Sequence, residues 1–588
     1  MKKNFKITRR ISSLALSVAI LFSTFSGTTV VSDASEREES KVFEKDFSQY
    51  VTGGEEMENF VENDTNAISP EEFDTIVEQD MGDTVDETEY PSSIDLSKKK
   101  YFPPVDSQGG IGACVSWADI YYAYTFAHCK ALDVEAKGYN IMSPAFIYNQ
   151  TKYNTVGGST HCPRQCSILL TEGVPSKISA DFESYSKETE CRSWFPTEEI
   201  WREASQNRLT SYTCFDDKYT ITSPKDEDLN TIKGYLNNEM LVTYTTDFAG
   251  WVYKKIPSGS AHSGESIVPY DKGGEGYHRM AIVGYDDNIF FDINGDGEIQ
   301  ETEKGAFKVV NSWGKYYQNK GFCWVSYDAL NQESQVPGLN VAGRKAIFAD
   351  YYVYYVKEGG EKASGTEMVM TLNTASRKEM KLSIQAVSSS GETKSADVAV
   401  TTVYNDFNCA MDGSYAATDG TILYDLNNIV PEITKETVAD YEWYVVVSDS
   451  IENNNSVILK DAKIKIDGKE YAGLDSFSNE VNGTSETYKL VPVTDKTTTV
   501  YYKNDAWSDA NIHFKVNNKS WTEVPGVKML SSDKVDYKWM YIIPLNENNG
   551  VTVCFNDGYN HWDSRNGANY YVTAGVYGIK NGNVMQLN

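Results

Sequence analysis

The sequence predicts one α+β domain at residues 91–357, followed by two all-β sandwich domains at 358–494 and 495–588. In the first region, Cys114 to Leu132 contains no Pro or Gly, and its apolar residues recur at helical spacing. After residue 358 the pattern changes to short strands with polar turns, such as MKLSIQAVS and SADVAVTTVY. Alternating runs of this kind are typical of antiparallel sandwiches, so the expected fold is one mixed domain and two β-domains.

The composition excludes several classes of protein. The chain has 588 residues, 40% hydrophobic and 23% charged, so it is neither a disordered tail nor a multi-span membrane protein. It has 54 Lys and Arg against 84 Asp and Glu, and the net charge of −30 argues against nucleic acid as a partner. Nine cysteines are too few for a disulfide-built scaffold, and their odd number leaves at least one unpaired within the chain.

Residues 1–34 have the order of a secretory signal peptide, with basic residues before an apolar run and small residues after it. The apolar run is too short for a comfortable membrane span. We therefore expect a secreted, extracellular protein whose mature chain has no membrane span. Residues 36–90 carry 19 acidic and three basic residues, so 35–90 is expected to be an acidic linker or a short pro-segment.

A thiol nucleophile needs a base for its proton, a group that orients the base, and donors for the oxyanion. Cys114, in PVDSQGGIGACVSWA, begins the predicted helix, where the helix dipole favours a thiolate. Gln108 precedes it on a Gly-rich loop whose backbone can fold back towards the thiol. His278 heads the apolar strand of GYHRMAIVGYDD, and Asn311 ends the strand of FKVVNSWG. The sequence thus predicts a catalytic site of Gln108, Cys114, His278 and Asn311.

These motifs resemble those of papain-like cysteine peptidases, in the divergent form of secreted bacterial multidomain proteins. The likeness runs from YPSSIDLSKKKYFPPVDSQG to GFCWVSYDAL and includes three separated motifs in the family's order. It implies a two-lobed domain that hydrolyses peptide bonds of a protein or peptide substrate through an acyl-enzyme. Cys114 is then the nucleophile and His278 the general base and acid, with Gln108 and the Cys114 N–H as oxyanion donors. Asn311 orients the imidazole, and Trp313 shields their hydrogen bond from water.

Two positions depart from the family pattern. The family usually has a Cys three residues before the nucleophile and a Trp directly after it, where this chain has Ile111 and Val115. A family disulfide is therefore missing, and pairing among the six further cysteines of the domain stays open. Two alternatives also stay open: a non-catalytic, glycan-binding adhesin on a degenerate peptidase fold, and a transpeptidase that uses the same acyl-enzyme.

The segment FDINGDGEIQETEKG, between the His278 and Asn311 strands, matches the calcium motif D-x-[DN]-x-[DN]-G-x5-E at every constrained position. The expected oxygen ligands are Asp292, Asn294, Asp296, the carbonyl of Glu298, and Glu303. Strand patterns rather than helices flank this single copy, so it is not a full EF-hand. We expect one structural Ca²⁺ that closes the hairpin, and no organic cofactor; a solvated acidic turn is the alternative.

The last domain places Trp and His among Asn, Asp and Gly, a composition that suits sugars because flat rings stack on their faces. Its motifs W-T-x-x-P-G-x-x-M and F-N-D-G followed by W-D resemble carbohydrate-binding module family 25, a starch-binding family. The resemblance implies a platform of His513, Trp521 and Trp562 for starch or a related α-glucan, with Asn566 as a polar partner. A different ligand for this domain stays open. The middle domain has no motif that indicates chemistry, and we expect it to act as a spacer or an exosite.

Overall fold

The computed structural model describes most of the chain. The described residues are 66–81, 90–152, 158–186, 191–215, 226–274, 276–402, 408–474, 480–492, 497–516, 520–532, 534–545 and 550–587. All of them belong to one compact unit. The predicted signal peptide and most of the acidic segment 35–90 lie outside the described residues. Within the described ranges, no helix is long and apolar enough to cross a membrane.

The longest helix of the first domain is the central helix α2, which almost completely lacks solvent contact. It is α-helical at Cys114–Ser116 and Thr125–Ala131 and π-helical at Trp117–Tyr124. Its apolar and aromatic residues occupy every face, which is the pattern of a helix buried on all sides. The other α-helices of the described residues are α1 (Pro70–Met81), which precedes this domain, α3 (Pro144–Thr151), α4 (Cys162–Thr171), α5 (Glu198–Ser205), α6 (Asp226–Asn237) and α7 (Ala399–Thr402), which belongs to the middle domain.

Nine strands of the first domain form one sheet in the order β2-β9-β3-β6-β7-β8-β5-β4, with β1 beside β6. The pairs are antiparallel except for β5 and β8, which are parallel. The strands are β1 (Ser93–Asp95), β2 (Ser211–Phe215), β3 (Val242–Asp247), β4 (Lys254–Lys255), β5 (Ser266–Val268), β6 (Tyr277–Phe290), β7 (Lys304–Val310), β8 (Phe322–Ser326) and β9 (Ala349–Tyr355).

The first domain has a helical lobe and a β-lobe, as the resemblance implied. Helices α3 and α4 contact each other, and α5 joins them where Phe146 and Trp201 pack with ring centroids 4.9 Å apart. The central helix begins against α3 and α4 and continues against β3, β6 and β9 of the sheet. It therefore lies at the junction of the two lobes.

Strands β6 and β7 form a long antiparallel hairpin with Ala281 opposite Val310. This register places the start of β6 and the end of β7 at the same end of the hairpin. The loop 291–303 that joins the strands lies at the other end. His278 and Asn311 are therefore brought together by the hairpin, and the predicted calcium loop is far from both.

The middle domain is a single antiparallel sheet of eight strands, in the order β12-β11-β14-β17-β16-β15-β10-β13, rather than two separate sheets. One face is buried through alternating residues, as the sequence pattern predicted. The strands are β10 (Thr366–Thr374), β11 (Met380–Ser388), β12 (Thr393–Asp397), β13 (Thr418–Asp425), β14 (Tyr441–Asp449), β15 (Val457–Ile466), β16 (Lys469–Leu474) and β17 (Ser485–Pro492).

One strand predicted for the middle domain is wrong in its second half. The run SADVAVTTVY is extended only to Asp397 and then turns into the short helix α7. Its buried residues Val398 and Val400 follow a strand-like alternation, but the chain is held here by other contacts. The Val398 N–H donates to the Leu382 carbonyl, and the Val400 N–H donates to the carboxylate of Glu172, the residue directly after α4. Contacts from outside the segment thus override its local pattern.

The middle domain is docked on the helical lobe. Arg208 and Asp425 form a buried ion pair with a 3.1 Å Nη1–Oδ2 distance. The backbone N–H and indole N–H of Trp194 donate to the carbonyls of Met411 and Thr421, at 2.7 and 2.8 Å. These contacts hold the middle domain against the helical lobe rather than at the end of a free linker.

The last domain consists of two five-stranded sheets that share one core. One sheet has the order β21-β22-β18-β26-β27, and the other β20-β19-β23-β24 with β25 beside β23. Tyr501 and Phe555 are buried. The strands are β18 (Thr497–Lys503), β19 (Asn511–Val516), β20 (Val527–Lys528), β21 (Leu530–Ser531), β22 (Trp539–Pro544), β23 (Gly550–Asn556), β24 (Trp562–Asp563), β25 (Tyr570–Thr573), β26 (Gly575–Lys580) and β27 (Asn583–Gln586). Their inward residues form a single cluster, so the two sheets face each other.

The described part of the acidic segment includes helix α1, which packs on the β-lobe. Phe73 is fully buried, with its ring 6.0 Å from that of Tyr235 and 6.3 Å from that of Tyr355. Just before the helix, the Ile68 N–H donates to the Tyr212 carbonyl of β2. Because β2 is the edge strand and β6 is three strands away, α1 lies beside the sheet edge rather than over the His278 strand.

Candidate active site and aromatic surface

Cys114 is the first residue of the central helix and is fully buried. Its segment Cys114–Ser116 contacts β6, the strand that carries His278. The first N–H groups of a helix lie outside the helix's own hydrogen-bond ladder. A thiol at this position therefore has backbone donors beside it, which is the arrangement that stabilises an oxyanion.

His278 and Asn311 form a buried hydrogen bond, with 2.9 Å between the ring Nε2 and the amide Oδ1. Because an amide oxygen only accepts, Nε2 carries the proton and the ring lone pair lies on Nδ1. Among the described residues, Nδ1 has no hydrogen-bond partner. Burial lowers the pKa of His278 to about 4, although the Asn311 bond acts in the opposite direction. At neutral pH the imidazole is therefore uncharged and able to accept a proton at Nδ1.

Aromatic rings surround this hydrogen bond. The ring of Trp313 lies 4.9 Å from that of His278, and the ring of Phe248 lies 5.4 Å from it at a 72° angle. Phe248 and Trp313 also contact each other edge to face. Trp313 is thus placed as the resemblance implied, whereas Phe248 comes from a separate segment with no motif that could have identified it.

Gln108 is buried beside the helix start and is fixed at both ends of its amide. Its Nε2 donates to the Ile111 carbonyl at 2.8 Å, and its Oε1 accepts a hydrogen bond from the Ser312 hydroxyl. The bond to Ile111 uses one of the two Nε2 hydrogens. Ser312 was not among the predicted residues, and its place directly after Asn311 is the signal that could have found it.

The loop between Gln108 and Cys114 requires glycine. Gly109 has a φ of 62°, and a Cβ there would lie 2.5 Å from the carbonyl oxygen of Tyr185. The next N–H, of Gly110, donates to that same oxygen at 2.6 Å. The segment around Tyr185 therefore holds the loop that leads into Cys114.

None of the nine cysteines, all of which lie in the described ranges, is in a disulfide. This answers the question that the sequence left open. Among the other histidines of the domain, His128 and His161 are buried, and the ring of His262 lies 4.4 Å from that of Trp324 at an angle of 40°. The described residues also hold no group of three or more His, Cys, Asp or Glu side chains placed to bind a metal ion.

The predicted calcium loop has its carboxylates turned to its own N–H groups. Asp292 accepts from the N–H groups of Gly295 and Gly297, at 2.6 and 2.9 Å. Glu303 is buried and accepts from the Ile293 N–H at 2.7 Å. Asn294 and Asp296 lie between these two positions and bond to each other, while Glu298 is exposed. The donor chemistry is that of Ca²⁺, with carboxylate, amide and carbonyl oxygens in one loop.

Three of the predicted sugar-binding residues meet on the surface of the last domain. The rings of His513 and Trp521 are stacked with centroids 4.8 Å apart, and Trp562 meets His513 edge to face at 5.5 Å. Trp562 is 41% exposed. Asn566 lies in the exposed turn after β24 with a φ of 57°, and among the described residues no hydrogen bond or ring contact joins it to the three rings.

The strand register explains why these rings share a face. His513 lies opposite Cys554 and Trp562 opposite Asn556, and residues 554 and 556 alternate with the core residues of β23. Side chains two positions apart on a strand point to the same face. Tyr571, 55% exposed, lies opposite Thr552 and therefore shares this face as well. Tyr571 was not among the residues predicted to bind sugar.

The fold and these sites define a two-lobed domain with a Cys, His, Asn and Gln constellation, joined to a β-domain that carries an exposed aromatic surface. Residues 494–586 match the family model described as carbohydrate binding domain (family 25), which confirms the resemblance of the last domain. An alpha-amylase of Niallia circulans is 40% identical over 88 residues, 15% of this chain and 7% of the amylase. A beta-amylase of the same organism is 36% identical over 78 residues, 13% of each chain. This chain therefore spans only a small part of these relatives.

The structure is also similar to several solved structures. A CBM25 from a Bacillus halodurans amylase, in complex with maltotetraose, is 29% identical and covers 16% of this chain and 97% of its own, with a TM-score of 0.15. Xylellain, a cysteine protease from Xylella fastidiosa, is 17% identical and covers 52% of this chain and 96% of its own, with a TM-score of 0.33. A stem bromelain precursor is 16% identical over 53% of this chain and 78% of its own, with a TM-score of 0.32.

Proposed function

We propose that this protein is an exported cysteine endopeptidase that the last domain tethers to starch or a related α-glucan. The observation that carries the proposal is the buried His278–Asn311 hydrogen bond, with Nδ1 of the imidazole directed away from Asn311. The helix that begins with Cys114 contacts the strand of this imidazole. A thiol, a neutral base and a fixed orienting amide are the groups that acyl transfer requires.

The chemistry follows from these positions. His278 Nδ1 takes the proton of the Cys114 thiol, and Sγ forms a bond to the carbonyl carbon of the scissile peptide. The negative charge on the carbonyl oxygen is stabilised by N–H donors at the helix start and by the Gln108 amide. The C–N bond then breaks as the imidazolium gives its proton to the leaving amine. Water, activated by the same imidazole, hydrolyses the thioester and restores the thiol.

The glucan proposal rests on the three rings His513, Trp521 and Trp562. An exposed indole offers a flat apolar face that the C–H surface of a sugar ring can cover. Two indoles lie at different angles around one imidazole. This arrangement fits a curved glucan chain better than the flat chains of a crystalline polysaccharide. The family 25 match at residues 494–586 supports the same ligand class.

The experiment that tests the peptidase proposal combines thiol labelling with cleavage of a mixed peptide library. Iodoacetamide at neutral pH should modify Cys114 faster than the other eight cysteines, and the modified protein should lose all cleavage activity. The Cys114→Ala variant is the control for both measurements. An unmodified Cys114 together with an uncut library would leave the adhesin alternative, and ligation rather than cleavage of peptides would favour the transpeptidase.

We also propose that the loop 291–303 binds a structural Ca²⁺ through Asp292, Asn294, Asp296, the Glu298 carbonyl and Glu303. In the bound loop, Gly297 with its φ of 87° makes the turn that the motif requires. Asn311, which bonds to His278, is about 23 Å from this end of the hairpin, since the seven residues of chain that separate it from Lys304 rise about 3.3 Å each. The ion would therefore stabilise the hairpin without touching the reacting groups.

Removal of Ca²⁺ should lower stability more than catalysis. With Ca²⁺ at 100 times its Kd, its loss costs about 2.7 kcal/mol, which corresponds to a Tm decrease of roughly 5–10 °C. We expect kcat at 25 °C to change less than twofold, because the loop is remote from His278. Differential scanning fluorimetry with and without EGTA measures this shift. Asp292→Ala should reproduce it, and Glu301→Ala, an exposed acid of the same loop that is not a ligand, should not.

An EGTA-independent Tm would contradict the calcium proposal. It would identify the loop as an acidic turn whose carboxylates are satisfied by their own N–H groups, as those of Asp292 and Glu303 are in this structure.

A further inference from the structure

A fully buried ion pair joins the central helix to β6 beside the candidate catalytic residues. Asp119 lies five residues after Cys114, and Arg279 directly follows His278. Their side chains are each 1% exposed, with 2.8 Å between Arg279 Nε and Asp119 Oδ1. The pair therefore connects the segment that carries the thiol to the strand that carries the imidazole.

Arg279 also connects β6 to its neighbouring strands. Its guanidinium donates to the hydroxyls of Thr243 and Thr245 on β3, at 2.7 and 3.0 Å, and to the carbonyl of Asp350 on β9 at 3.1 Å. It lies over the ring of Tyr352, 4.9 Å from the centroid. One planar side chain thus fixes three strands at defined distances, which a flexible ammonium group could not do.

Asp119 extends the network into the helical lobe. Its second oxygen accepts a hydrogen bond from the Cys162 thiol of α4 at 2.9 Å. Asp119 belongs to the π-helical segment Trp117–Tyr124. Turns of π-helix are rare in proteins, and those that occur are often found at functional sites. The network therefore crosses the junction of the two lobes, with both of its central side chains satisfied.

Stability alone does not explain such a pair. Removing two charges from water costs several kcal/mol, and replacing a buried ion pair by apolar residues is often neutral or stabilising. The best-attested use of a buried ion pair is to specify one arrangement of the elements that it joins. Here those elements are the ones that must hold a thiol within reach of an imidazole.

We propose that Asp119 and Arg279 are positioning residues that set the distance and orientation of Cys114 relative to His278. This inference rests on the proposed peptidase function. Neither side chain touches the substrate. The pair acts by orienting Cys114 and His278. A displacement of 1 Å in a catalytic group can cost about 100-fold in rate.

The test is Arg279→Lys, which keeps the positive charge beside Asp119 but loses the planar set of donors. We expect kcat for a cleaved library peptide to fall 10- to 100-fold with KM changed less than threefold. The rate of Cys114 alkylation by iodoacetamide, measured from pH 5 to 9, should fall by a similar factor at pH 6. Its pH midpoint should move towards about 8.5, the value of an ordinary thiol that has no imidazole partner.

The matched control is Arg344→Lys. Arg344 forms a similarly buried pair with Asp328, at 2.8 Å and with side chains 5% and 1% exposed, but this pair joins the segment after β8 to the segment before β9 rather than the central helix to β6. This variant should lower Tm to a similar extent and leave kcat and the alkylation profile unchanged.

A second variant, Asp119→Glu, keeps the charge and lengthens the side chain by one methylene, and it should show the same kinetic changes as Arg279→Lys. Normal kcat and alkylation profiles in the folded variants, with only Tm lowered, would overturn the inference. Failure of both variants to fold while Arg344→Lys folds would also overturn it, because the pair would then be a requirement of the fold. An inert wild-type protein would instead contradict the proposed function.

Discussion

Cys114→Ala should reduce peptide hydrolysis to background. No other described thiol lies at the start of the helix that contacts β6, so no group can replace it as nucleophile. Loss of the nucleophile or its base costs on the order of 10⁶ in kcat in a serine protease that also works through an acyl-enzyme. His278→Ala should have nearly the same effect, because without Nδ1 nothing takes the thiol proton. Steady-state cleavage of a fluorogenic peptide measures both variants.

The same assay separates the roles of the other residues. Asn311→Ala should retain part of the activity, since the amide orients the ring and moves no proton. Gln108→Ala should cost about 10²–10³ in kcat if its amide stabilises the oxyanion. Ser312→Ala, which removes the hydroxyl bonded to Gln108 but leaves the amide, should cost less. A Gln108 variant with normal turnover would show that this amide is structural.

Trp521→Ala and Trp562→Ala should each release the protein from insoluble starch. Trp521 stacks on His513, so its removal takes away one platform and exposes the ring that supports it. Exposed aromatic anchors at binding surfaces cost about 2 kcal/mol or more when truncated, which is about 30-fold in Kd. Pull-down on granular starch, with bound and free protein quantified, measures the loss. Hydrolysis of a small soluble peptide should stay unchanged, because that chemistry belongs to another domain.

The control for this prediction is Ile542→Ala. Ile542 is 49% exposed on β22, in the sheet opposite the ring cluster. The substitution therefore removes exposed apolar surface and leaves the three rings unchanged. The variant should bind starch like the wild type. If the wild-type protein does not bind starch but binds cellulose, chitin or peptidoglycan, the α-glucan proposal is wrong. The aromatic surface would then still be a binding site for carbohydrate, with a different ligand.

Most of the local structure was predictable from sequence. The buried helix from Cys114, the strand that begins near His278 and the strand that ends before Asn311 all occur as expected. These elements have strong apolar periodicity and clear boundaries, which is where local patterns are most reliable. The prediction for residues 399–402 was wrong because their local pattern did not decide their structure. This strand-like run is helical, and Val400 is held there by its hydrogen bond to Glu172, directly after α4.

The sequence by itself determined the residue types of each candidate site, because motifs keep chemistry at fixed spacings along the chain. It identified the thiol, imidazole and amide of the first domain and the three rings of the last. Only the tertiary structure decided which groups meet, since hairpin register and lobe packing depend on contacts between distant segments. It placed the calcium loop at the far end of the hairpin, brought Ser312 to Gln108, and paired Asp119 with Arg279 across 160 positions of sequence. No local pattern records such contacts, because each depends on how whole elements pack.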